Sequence, residues 1–151
     1  MSREVRTKSN LEKVLAAGQF AVTGELGPPR SANVEEVEEK AKHLLGNVDS
    51  VNITDNQTAV VRMSSMAAGL LLQKTGTEAN MQMVCRDRNR IAMQSDILGA
   101  AALGINNLLV LSGDHQKFGD HPQAKNVFDI DAVNLIATIK MMRDERRLLS
   151  G

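Results

Sequence analysis

The chain has 151 residues, enough for one domain with a real core, and its 18 Lys and Arg balance 18 Asp and Glu. A neutral chain with no basic tract argues against non-specific binding to nucleic acid or to acidic membrane surfaces. No apolar run reaches the roughly 18 residues that a membrane-spanning helix needs.

The charged start, Met1 to Asn10, has no apolar stretch behind it, so no signal peptide is expected. The single cysteine, Cys85, excludes an internal disulfide framework and fits a reducing cytoplasm. Three Phe and no Trp or Tyr mean that a planar ligand must be held by aliphatic and polar groups, or by residues this chain lacks.

A short helix is expected first, from about Asn10 to Ala17. The first strand follows from Gln19 to Leu26. In the next segment Val34, Val37, Ala41, Leu44 and Leu45 recur at helical spacing, with Glu35, Glu36, Glu38, Glu39, Lys40 and Lys42 on the other face. Ser31 or Asn33 can cap this helix and Gly46 can end it. The second strand runs from Asp49 to Thr54, and a Met-, Ala- and Leu-rich helix from about Met63 to Lys74 stops at Gly76. The third strand runs from Asn80 to Cys85, with a helix from about Arg90 to Leu103 closed by Gly104. The fourth runs from Asn106 to Leu111. After the irregular stretch Gly113 to Asn126, a last helix from about Asp129 to Arg147 puts Ile130, Val133, Ile136 and Ile139 on one face.

The strand starts lie roughly 30 residues apart, the size of one strand-plus-helix unit. One helix followed by four βα units implies a parallel sheet with helical crossovers, its strands apolar because both faces are covered. Part of a (β/α)8 barrel and an open doubly wound sheet both fit. No linker divides residues 1–151, which read as a single domain.

Polar residues gather where these strands end: Glu25; Thr54, Asp55 and Asn56; Arg86 and Asp87; Ser112, Gly113 and Asp114. In a parallel α/β fold these ends converge on the ligand-binding face. A carboxylate inside the run Phe20 to Leu26 is costly to bury, and burial raises its pKa, which suits a general acid. A Glu that simply reaches solvent is the plainer reading. Asp114 follows a glycine that permits a tight turn, so it is either a carboxylate that holds a ligand ring or a cap in a βα loop. Cys85 reads as a small buried hydrophobe, and Met63 and Met66 as core. His115 and His121 offer too few ligands for a metal. No GxGxxG or GxxxxGK[ST] pattern supports a classical dinucleotide or P-loop site.

The same residues resemble the methylenetetrahydrofolate reductase family. The run TGELGPPR (23–30) is similar to its first-strand motif, and VNITDN (51–56) to the end of its second strand. QKTGTEANMQMVCRDRNR (73–90) resembles the stretch through its third strand, and LGINNLLVLSGDH (103–115) its fourth, with the hallmark Gly-Asp. FGDHP and VFDIDAVNLI extend the likeness, which spans about residues 19–147 in order. CRDRNR and FGDHP look most like the branch sometimes fused to a homocysteine methyltransferase.

The resemblance implies a partial TIM (β/α)8 barrel, the N-terminal half of a whole that needs roughly 250 residues. It implies a flavoprotein oxidoreductase of one-carbon metabolism and methionine biosynthesis, using FAD or FMN to reduce 5,10-methylenetetrahydrofolate to 5-methyltetrahydrofolate. NAD(P)H or a partner electron carrier would be the reductant. Glu25 matches the family's general acid, and Asp114 the carboxylate near flavin and pterin. Thr54, Gln82, Ser112 and Gly113 fall where the family lines the flavin. Many relatives carry His at the position of Gln82 and Arg at that of Ser112, so contacts there differ. Four βα units leave two sheet edges open, which self-association or a partner subunit would cover. Two other readings remain: a non-catalytic flavin- or folate-binding or interaction module, and an unrelated (β/α) enzyme with Glu25 and Asp114 as its acid/base pair.

Overall fold

In the computed structural model, which describes residues 5–151, the four apolar runs become β1 (Thr23–Leu26), β2 (Ser50–Ile53), β3 (Ala79–Val84) and β4 (Asn107–Leu111). They form one sheet in the order β1-β2-β3-β4, with every neighbouring pair parallel. Unbroken sequence order is the wall of a (β/α)8 barrel; a doubly wound sheet would reverse direction at its starting strand. The fold is therefore partial and TIM-barrel-like. α1 (Asn10–Ala16) precedes β1, and α2 (Val34–Leu44), α3 (Ser65–Lys74), α4 (Arg90–Ala102) and α5 (Ala132–Asp144) follow the strands in turn.

The helix ends obey local chemistry. Asn33 Oδ1 accepts the Glu35 and Glu36 N–H groups, and Ser64, Asn89 and Asp131 cap α3, α4 and α5 in the same way. Such a cap contributes about 1 kcal/mol. β1 is shorter than the expected Gln19 to Leu26. Phe20, 90% exposed, has nothing to pair or pack against there.

Strand alternation divides the sheet into two unlike faces. Leu26, Val51, Ile53, Ala79, Met81, Met83 and Cys85 point to the helices and form two adjoining clusters with Val37, Ala41, Ala68, Leu72, Met93, Ile97, Ala100 and Leu135. Burial pushes the Cys85 thiol up, with the Asp131 charge adding to the effect, as befits an inert core residue. The opposite face carries Thr23, Glu25, Ser50, Asn52, Asn80, Gln82 and Asn107. The register aligns Glu25 with Asn52, Asn52 with Asn80, and Asn80 with Asn107. Asn80 Nδ2 donates to Asn52 Oδ1 at 2.7 Å. The expectation of strands covered by helices on both faces is thus corrected: among the described residues one face carries no helix and is an inner wall, polar except at Val84, Leu109 and Leu111.

α1 closes the N-terminal end of the strands. The Glu78 carboxylate accepts the Asn10 and Leu11 N–H groups at 2.6 and 2.9 Å and the Asn107 Nδ2 at 2.9 Å. The ligand end of the sheet is the other one.

α5 departs from its expected face. Leu135 and Thr138 are buried, with Ile130, Ile139 and Met142 beside them, while Val133 and Ile136 are 75% and 56% exposed. Periodicity marked an apolar stripe; docking on β4, an edge strand, selects only one flank of it. Among the described residues no helix is long and apolar enough to cross a membrane.

One ion pair ties α4 to the segment before α5. Asp129 accepts the Arg90 backbone N–H at 2.9 Å and its Nε at 2.7 Å, and these bonds hold the Asp129 carboxyl at about 2. A carboxyl depressed in the folded state stabilises it fully above the ordinary value of 3.8, and the contribution fades as pH falls toward about 2. Asp129→Asn should therefore remove pH-dependent stability in that window. Urea titrations at several acidic pH values check this, and a variant with the wild-type acid profile would count against the tether.

Candidate active site

The C-terminal strand ends enclose an open cavity of about 480 Å³. Glu25, Thr54, Gln82, Ser112, Gly113 and Asp114 all line it, together with Asp55, Asn56, Gln57, Thr58, Val84, Arg86, Leu109 and Leu111. All six residues that the family resemblance marks therefore reach one site, although the segments are separated by up to 89 positions (114 − 25); of the strand-end polar residues, Asp87 stays outside the lining.

The individual environments differ. Glu25 is exposed, so of the two readings of its position the one that reaches solvent holds. The physical reason is its place: it sits on the open inner face of an edge strand, and no element covers it. Thr54, just past the end of β2, and Gln82, on the neighbouring β3, are 2% and 8% exposed. Thr54 Oγ1 is buried without a hydrogen-bond partner among the described residues. The Gln82 backbone carbonyl accepts Ser65 Oγ at 2.7 Å, which pins its strand to the start of α3 while its amide faces the cavity. Ser112 lines the rim, but its Oγ accepts the Ala132 N–H at 3.4 Å and so braces α5. Gly113 has φ of +92°, and a Cβ there would lie 3.2 Å from Val84 Cβ. A side chain is strained on both counts.

Asp55 and Arg86, recognised in the sequence only as strand-end polar residues, are the scaffold of the mouth. Asp55 is 2% exposed. It accepts the Val84 N–H at 3.0 Å and the Arg88 guanidinium at 2.7 and 3.3 Å, and Arg88 also reaches Asp96 at 3.1 Å. Arg86 is 3% exposed and pairs with Asp87 at 2.7 and 2.8 Å. Burial pushes the Asp87 carboxyl up, yet hydrogen bonds from Arg86 and Asn56 outweigh it and leave the group below the ordinary carboxylate value. A buried acid after an apolar strand calls for a cation, and CRDRNR supplies three, Arg86, Arg88 and Arg90; which acid each serves could not be read from sequence.

The rim between β2 and α3 has an unusual backbone. Asn56, Thr58 and Ala59 have φ of 43°, 58° and 57°. Left-handed conformations cost non-glycine residues roughly 1–3 kcal/mol each and persist where surroundings impose them. Here the imposing element is the loop after β4. Gly119 abuts the chain so closely that a Cβ would fall 1.8 Å from the Ala59 carbonyl oxygen. Asp120 accepts the Val61 N–H and pairs with Arg30. No pattern in the sequence announced Gln57 or Thr58 as lining residues.

The donor set suits a planar heterocycle with a polar edge. The Thr54 hydroxyl and Gln82 amide are free to bond it, and Val84, Leu109 and Leu111 offer an apolar wall. No aromatic side chain takes part. No curated protein gave a match to the chain. The family described as methylenetetrahydrofolate reductase matches residues 10–146, most of the chain. With the parallel barrel-like sheet and the strand-end cavity, that match shows that the chain belongs to the methylenetetrahydrofolate reductase family, a family of folate-linked oxidoreductases.

Proposed function

We propose that this chain carries the flavin and folate site of an enzyme that reduces 5,10-methylenetetrahydrofolate to 5-methyltetrahydrofolate. The supporting observation is the convergence of six sequence-marked residues from four strand ends on one cavity whose buried Thr54 hydroxyl has no hydrogen-bond partner among the described residues. Bound FAD or FMN, recharged by NAD(P)H or a protein electron carrier, supplies the hydride that turns the one-carbon unit into a methyl group.

The chain's own residues prepare that transfer. Thr54 and Gln82 bond the polar edge of the ring, Gly113 lets the backbone approach it, and the Ser112 backbone continues that rim. Glu25, at the mouth, serves as the acid that protonates N10 of the folate as the bond from N10 to the bridging carbon breaks. The bridging carbon is left cationic on N5. The Asp114 carboxylate stabilises that charge and holds the ring system in register.

The free edges of β1 and β4 favour a second reading, in which strands of a second copy or another subunit complete the barrel and this chain alone is a binding module. Titration with FAD and with FMN, followed by visible absorbance, tests both. Binding of either flavin, weakened on the order of tenfold in Thr54→Val, is expected. Binding without turnover supports the module reading, and failure to bind either flavin overturns the proposal.

A further inference from the structure

We infer that Arg86 is a positioning residue of this site: its buried guanidinium fixes the backbone of Asp114 and so decides where the Asp114 carboxylate stands. The inference rests on the reading of Asp114 as the carboxylate that serves the folate.

The geometry is specific. Arg86 follows β3 immediately after Cys85, and its side chain is 3% exposed. Nη1 donates to the Asp114 carbonyl oxygen at 2.9 Å. Nη2 donates to the Asn56 carbonyl oxygen at 3.2 Å and to Asp87 Oδ2 at 2.8 Å, while Nε donates to Asp87 Oδ1 at 2.7 Å. One planar fork therefore joins the loops after β2, β3 and β4. Asp87 closes the ring of contacts by accepting Asn56 Nδ2 at 3.2 Å.

Asp114 depends on this clamp. Its side chain is exposed and, among the described residues, makes no hydrogen bond; the bond from Arg86 is the tertiary hydrogen bond of its backbone. Gly113 lies against the same side chain, with its Cβ direction 3.4 Å from Arg86 Cβ. A carboxylate aimed only by its backbone takes its direction from whatever holds that backbone. The paired Asp87 cancels the guanidinium charge, so Arg86 acts through geometry rather than as a free cation for the ligand. A lysine keeps the charge but presents a single point of donation and cannot span two carbonyls and a carboxylate.

The test compares wild type, Arg86→Lys, Asp114→Asn and the double variant. Hydrogen exchange read by mass spectrometry needs no ligand. Arg86→Lys should speed exchange at residues 112–118 while leaving β1 to β3 protected. Wild-type protection of that loop overturns the inference, and collapse of protection throughout the sheet reassigns Arg86 to the fold. In flavin-loaded protein with methylenetetrahydrofolate, Arg86→Lys should lower kcat on the order of tenfold, the loss expected with one charge-assisted hydrogen bond, with KM nearly unchanged. The double variant should be no worse than the more impaired single variant, because both changes act through one carboxylate. Additive losses overturn the inference. Wild type that binds no flavin sinks the proposed function instead, and the exchange result still decides the role of Arg86.

Discussion

Replacing Glu25 by Gln is expected to slow folate reduction by roughly 10²–10⁴-fold, the contribution typical of a positioned general acid, while flavin affinity stays at the wild-type level. Glutamine keeps the size and polarity of the side chain and removes its exchangeable acid proton. Glu25 lies on the exposed inner face of β1, so the substitution disturbs no packing. Mixing reduced, flavin-loaded protein with methylenetetrahydrofolate under anaerobic conditions and following flavin reoxidation isolates the chemical step. A variant that reoxidises at the wild-type rate would remove Glu25 from the mechanism. A variant that also loses flavin would make it a binding residue.

Replacing Asp55 by Ala is expected to destabilise the fold by about 3 kcal/mol, a loss of roughly 6–12 °C in Tm for a chain of this size. The carboxylate is 2% exposed and serves two clients, the Val84 N–H and the Arg88 guanidinium. Its removal leaves a buried donor unsatisfied and strips Arg88 of its closer partner. Asp96, at 3.1 Å, retains part of the charge compensation and keeps the cost below that of a fully orphaned arginine. Urea unfolding and a thermal scan measure it. A shift below about 2 °C, less than 1 kcal/mol on the same scale, would show that Asp55 is not a pillar of the cavity mouth. Because Val84 lines the cavity, flavin affinity should fall with stability in this variant, unlike in Glu25→Gln.

The two predictions reflect how unevenly the site could be read. Glu25 and Asp114 stood out because a carboxylate beside an apolar strand, or after a glycine, is conspicuous in a linear string. Asp55 and Arg86 were visible as strand-end residues, but their work depends on partners 28 to 33 positions away: Asp114 for Arg86, Val84 and Arg88 for Asp55. Thr58 lines the cavity in a turn whose next residue, Ala59, lies against Gly119 of the loop after β4, and nothing local to Thr58 signals that contact.

What the sequence determined by itself was local and periodic. The positions of four strands and five helices, their glycine stops, and a cap for α2 at Ser31 or Asn33 follow from turn chemistry and hydrophobic spacing, which act within a few residues. Tertiary structure decided the rest. The strand order chose barrel wall over doubly wound sheet, because two assemblies of the same βα units differ only in which edges meet. Register turned Asn52, Asn80 and Gln82 to the inner face and left Glu25 exposed on an edge strand, since a period of two assigns alternate residues to opposite faces without saying which face meets the helices. The docking of α5 on β4 likewise buried Leu135 and left Val133 and Ile136 in solvent. A helix stripe becomes core only where another surface lies against it, and that surface belongs to residues distant in the chain.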